Sequence, residues 1–245
     1  MSQRTVDRTR VDGVEETLPR SDMKEEMRGR QLRRLEVFID VVFALVFFRI
    51  IHYLPATENM EWVGKPYGVL QPLVDDPVQF VRIFIGLGLT LIYWQQSARF
   101  LKTLKRTDET HAALQLIQLI FVCLFMYFVI SDPRLAGGPS SPALQSGSLV
   151  LAGFAGLAGW VYARRHDFVA GEVTQAERDQ ISRSGLVDPV TALLTIPLAF
   201  VGPLIWTAGW LVLPFLVRRM PDAFWTHLLS WGGLWTLLKV LVKRV

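Results

Sequence analysis

Three ionisable side chains, Asp40, Arg49 and His52, fall within or at the end of one apolar stretch, Arg34-Leu-Glu-Val-Phe38-Ile39-Asp40-Val41-Val-Phe-Ala-Leu45-Val-Phe-Phe48-Arg49-Ile-Ile-His52. An Asp or Arg at the centre of a bilayer costs about 2.5–3.5 kcal/mol. Such groups face protein or water, and their chemistry is pairing between helices or contact with a water-filled path. Asp40 follows Arg34 by roughly 9 Å of helical rise, and is expected to pair with a cation of a neighbouring helix. Arg49, near the end of the stretch, either faces such a path or extends its head to the outer interface. At about 100° per residue, Phe38, Val41, Leu45, Phe48, Arg49 and His52 share one face, and Asp40 points roughly the other way. The stretch thus predicts an apolar stripe ending in basic groups, with a buried acid behind it.

No enzyme constellation accompanies these residues. The 4 histidines, His52, His111, His166 and His227, are scattered and lack metal-ligand spacing. There is no phosphate-binding glycine loop, nucleophile elbow or CxxC, and no cofactor or metal is expected. Glu172, Glu177 and Asp179 read as a solvated loop face. The single cysteine, Cys123, lies in an apolar block and reads as a small packing residue. Asn59 is followed by Met-Glu, so it is no glycosylation acceptor. The first 30 residues hold no apolar core, and no secretory signal is expected there.

The elements that must position Asp40 and its neighbours follow from composition. Hydrophobic residues are 51% of the 245, charged residues only 20%, and Trp appears 8 times. The apolar residues come in blocks about as long as a bilayer is thick, which excludes a soluble enzyme, a disordered chain and a fibrous repeat. In lipid, only a helix satisfies its own backbone. An all-α, polytopic protein with six transmembrane helices is therefore expected: about 35–53, 78–100, 112–130, 148–163, 190–217 and 224–241. Residues 1–33 read as a charged cytosolic tail. Met23 to Arg34 is either a short surface helix or, more simply, a solvated lead-in. Pro197, Pro203 and Pro214 suggest a bend in the fifth span. In the fourth, Ala152/Gly156 and Ala155/Gly159 recur at helical spacing and read as packing.

The net charge of +4 comes from Lys and Arg at the ends of apolar blocks, so no nucleic-acid partner is expected. Basic residues crowd the lead-in (Arg28, Arg30, Arg33, Arg34), the second loop (Lys102, Lys105, Arg106) and the fourth (Arg164, Arg165, Arg178, Arg183). The first loop carries Glu58, Glu61, Asp75 and Asp76 against Lys65. Both termini are then cytosolic. Arg218 and Arg219 disagree, because one crossing by 190–217 would leave them outside.

At Arg34, Phe38 and Asp40 the chain resembles the transmembrane protein 175 family of potassium channels, whose first helix carries Arg-x-x-x-Phe-Ser-Asp. Ile39 replaces the Ser. The family has Trp-x-x-His on helix 2, then Lys-Thr-Asp-Asp-Thr, then Leu-Leu-Asn. This chain has Trp94-Gln-Gln-Ser97 and Arg99, then Arg106-Thr107-Asp108-Glu109-Thr110, then Ala113-Leu114-Gln115. The resemblance covers roughly residues 34–130. The low-temperature-requirement A family is a weaker match, at Glu36 to Phe43. Its chains are longer, and the stretch from Trp94 to Gln115 does not fit it.

The first resemblance implies a homotetramer in which helix 1 lines a central pore. The constriction would be an apolar side chain five residues after Asp40, which is Leu45. It further implies an inter-helix brace, which Ile39 and Ser97 would reduce to Arg34 and Asp40 with Arg99 or Gln115. Where the family often has Thr, this chain has Phe48, with Arg49 next and His52 one turn on. A ring of Arg suits anions rather than K⁺. The sequence therefore leads to the expectation of a potassium-conducting channel of the bacterial cytoplasmic membrane. Its partners would be K⁺ or other small ions, lipid and further copies of itself. An anion conductor and a non-conducting scaffold or sensor are the alternatives.

Overall fold

The computed structural model describes residues 20–52, 64–68, 71, 74, 77–131, 138–221 and 224–225. Among the described residues six long helices follow one another: α1 (Arg20–His52), α2 (Pro77–Lys102), α3 (Glu109–Ser131), α4 (Ser140–Arg165), α5 (Gln175–Val201) and α6 (Pro203–Arg218). Of these α3, α4 and α5 are each long and apolar enough to cross a membrane, and α6 is a shorter apolar helix.

α1 is a single helix of 33 residues, roughly 50 Å at the usual rise. The stretch read as a solvated lead-in is thus its first turns, where Arg30 pairs with Glu26 at 2.7 Å. The apolar stripe that packs inward is Leu32, Leu35, Ile39, Phe43 and Ile50. α1 lays this stripe on α2 and α3.

α3 starts where Asp108 caps it: the carboxylate accepts the His111 backbone N–H at 2.8 Å, satisfying one of the free donors of the first turn. The turn before it is tied to the turn after α4. Lys105 N donates to the Phe168 carbonyl at 2.9 Å, and Ala170 N to that of Thr103 at 2.8 Å. The second and fourth loops, both basic, therefore lie at one end of the bundle.

α4 is the central helix, packed closely on both α3 and α5. Its glycines make this possible. A Cβ at Gly153 would lie 2.7 Å from the Pro189 ring, and one at Gly159 would lie 2.5 Å from Gln115 Nε2. The small residues at helical spacing are thus sockets for larger side chains of the flanking helices.

The expectation of one bent span over 190–217 is overturned. α5 begins at Gln175, well inside the segment read as a loop, with Thr174 and Glu177 forming a reciprocal capping box. It ends at Gly202, and Pro203 opens α6. A proline cannot supply the N–H that would continue the ladder, yet its fixed φ suits a first helical turn. α6 folds back along α5, with Gly209 beneath Leu198 and Thr195. Near the base of this hairpin, Arg218 reaches the same cleft as Asp188. The reversal removes the charge anomaly, because Arg218 returns to the end that carries Arg99 and Lys102. The span expected at 224–241 lies, apart from its first two residues, outside the described residues.

A buried polar chain fixes the α4–α5–α6 junction. Trp206 Nε1 donates to Ser146 Oγ at 2.9 Å, and Ser146 shares a hydrogen bond of 2.8 Å with Thr195. Tyr93 on α2 donates to the Leu149 carbonyl on α4 at 3.1 Å. In an apolar medium these satisfied polar groups fix which helix faces meet.

Candidate functional site

The face of α1 opposite its packed stripe is apolar and open. Phe38 and Val41 are each 51% exposed, Leu45 61% and Phe48 68%. These four residues recur at spacings of three and four, so they form one continuous strip. Arg49, beside the strip, is also exposed. His52 is the last residue of α1, and its side chain lies outside the described residues.

Asp40 corrects the expectation of a buried acid behind the stripe. It is exposed, and Trp94 Nε1 donates to its Oδ1 at 2.9 Å. The reason lies upstream. The packed stripe of α1 starts at Leu32 within the charged lead-in, and continuing it places Ile39 inward and Asp40 at the rim. Ile39 occupies the position of the motif Ser and is 3% exposed, so it contributes packing and no hydrogen bond.

The other brace candidates are distributed over three places. Arg34 is exposed on α1. Ser97 and Arg99 line a cleft between α2 and α5. Gln115 is buried under Gly159, and neither polar atom of its carboxamide has a hydrogen-bond partner. Of these candidates, Asp40 and Trp94 are therefore the pair that hydrogen-bonds α1 to α2.

Asp108 joins two further helices. Besides capping α3, it accepts from the Tyr162 hydroxyl of α4 at 2.8 Å. Beside it, Thr107 Oγ1 lies 2.7 Å from His111 Nδ1, and His111 stacks edge-on against Phe100 and Phe168. Arg106 lies over the Phe168 ring at 5.7 Å. The segment Arg106 to Thr110 is thus the staple holding the basic end of the bundle together.

Sequence reasoning missed the contact between Asp188 of α5 and Gln96 of α2, in which the Gln96 amide donates to the carboxylate. Asp188 read as part of a loop, and only the start of a helix at Thr174-x-x-Glu177 could have revealed its setting. Among the described residues, no group of three His, Cys, Asp or Glu could hold a metal ion.

Fold and site together define a polytopic membrane protein: the described residues form a bundle of six helices with exposed apolar faces, that of α1 among them, and with basic turns gathered at one end. The chain matches no known family profile and no curated protein. In structure it is similar to a lysosomal potassium-selective channel TMEM175 homolog from Chamaesiphon Minutus, with a TM-score of 0.60 and 15% sequence identity. The likeness covers 77% of this chain and 97% of that one. The resemblance carried by Arg34, Phe38, Asp40 and the Trp94-to-Gln115 stretch thus extends to the fold of nearly the whole of that chain.

Proposed function

We propose that this chain is a subunit of an ion channel, assembled as a homotetramer in the bacterial cytoplasmic membrane with α1 of each copy lining a central pore. The observation that carries this reading is the open strip Phe38, Val41, Leu45 and Phe48. It is the one face of α1 that its own subunit leaves uncovered, on the helix that bears the channel-like motif. In a symmetric ring the strip would form stacked apolar layers, with Leu45 as the constriction. Apolar layers in a narrow pore block ions by dewetting. Potassium is the proposed ion, by likeness to the channel homolog. The N-terminus and the basic end of the bundle are proposed to be cytosolic.

Liposome flux tests the reading. Purified protein should dissipate a potassium gradient, and reversal potentials in KCl gradients should follow potassium. A reversal potential that follows chloride would favour the anion reading, for which the exposed Arg49 beside Phe48 is the specific observation. No flux from a correctly assembled oligomer would leave a membrane scaffold.

A further inference from the structure

A cleft of about 1410 Å³ opens between α2, α4, α5 and the end of α6. Small-ligand pockets run to roughly 300–1,000 Å³, so this one has room for more than a compact solute. Its charges come from separate helices. Arg99 and Lys102 stand on α2, Arg183 on α5 and Arg218 at the end of α6. All four are exposed.

The carboxylates of the cleft already have partners. Asp188 accepts from Gln96. Asp179 accepts from Gln175 at 3.0 Å and lies 3.9 Å from Arg164. Glu177 is held by Thr174 in the capping box. Arg183 has an interaction of its own. Arg99 and Lys102, with Arg218 beside Asp188, are exposed cations from two helices that converge on one opening. Between them the wall is mixed, with Ile92, Ile181 and Met220 only partly covered beside Gln95, Gln96 and Gln180.

We propose that this cleft holds an anionic phospholipid, its phosphodiester between Arg99, Lys102 and Arg218 and the start of an acyl chain along Ile92, Ile181 and Met220. Three features select a lipid over a soluble phosphate: the apolar patches of the wall, the size, and the position at the basic end of helices long enough to span a bilayer. Basic pockets between membrane helices take anionic headgroups for this reason. The inference rests on the membrane reading and not on ion conduction, so a failure of flux leaves it standing.

The test is lipid binding to the detergent-solubilised oligomer, read by melting temperature and native mass spectrometry. Phosphatidylglycerol should raise the melting temperature, and phosphatidylcholine with the same chains should not. Lys102→Gln with Arg218→Gln should weaken phosphatidylglycerol binding roughly tenfold. Arg30→Gln, on the first turns of α1, should bind as the parent does. If the double variant is not monodisperse, Lys102→Gln alone, at an exposed helix end, should weaken binding about threefold. Equal responses to the two lipids, or undiminished binding by a folded variant, would overturn the proposal. So would an equal shift from inorganic phosphate, which would make the ligand a soluble anion.

Discussion

The indole of Trp94 reaches across from α2 and donates a hydrogen bond of 2.9 Å to Asp40 on α1. It joins the two residues that mark the first and second helices in the sequence. The acceptor is a carboxylate at the rim of the packed face, so the bond sets the rotation of α1 as well as its distance from α2.

Removing that bond should loosen α1. Trp94→Phe keeps most of the ring and deletes the donor, and should cost about 1.5–2 kcal/mol, the lower part of the range for bonds to charged groups. Asp40→Asn keeps an acceptor and should cost less than Asp40→Ala. Thermal denaturation of the detergent-solubilised oligomer measures all three. Equal stability of Trp94→Phe and the parent would show that the contact does not hold α1.

The α4–α5 interface offers a sharper steric test. Gly153→Ala places a methyl 2.7 Å from the rigid Pro189 ring, and overpacking of this kind costs about 1–3 kcal/mol. Gly147→Ala on the same helix meets nothing within 4 Å and should be neutral or slightly stabilising. If both variants melt alike, α4 and α5 are not in the described contact.

Hairpin and single crossing differ in where residue 219 emerges. In a Cys123→Ser background, Arg219→Cys should react with an impermeant thiol reagent from the same side as Lys105→Cys. Lys65→Cys should react from the opposite side. Labelling of positions 219 and 65 from one side would restore the single bent span.

Leu45 and Arg49 test the pore. Leu45→Asn should admit water to the constriction, raise ion flux and weaken selectivity. Arg49→Ala should raise the cation-to-anion permeability ratio if the guanidinium faces the path. Unchanged flux and selectivity in both, with the oligomer intact, would mean that α1 does not line a conducting pore.

The helices best read from sequence are α2 and α3, whose observed limits, Pro77–Lys102 and Glu109–Ser131, lie within three residues of those expected. Each is an apolar run bounded by charge, and Asp108 caps the second. The stretch 190–217 misled because its apolar run is too short for two ordinary crossings. α5 compensates by starting in polar sequence at Gln175, and the dipeptide Gly202-Pro203 was the legible mark of the turn. The orientation of Asp40 was hidden for a related reason. A wheel drawn from Arg34 onward omits Leu32, and with it the start of the stripe that decides which face is buried. Gln115 and Gly159 show what a single sequence does not reveal, since their contact depends on how closely two helices approach.

The packing of α2 also sets an order of assembly. α2 rests on α1 and α3, and on α6 as well. Chains emerge from the ribosome N-terminus first, at about 5–20 residues per second. The surroundings of α2 are therefore incomplete until the α5–α6 hairpin has been made and folded back. α1, held to the bundle through α2 and α3, has all its partners before that closure. A fault in the Gly202-Pro203 turn would therefore leave α1 seated and register instead as a face of α2 left open to lipid.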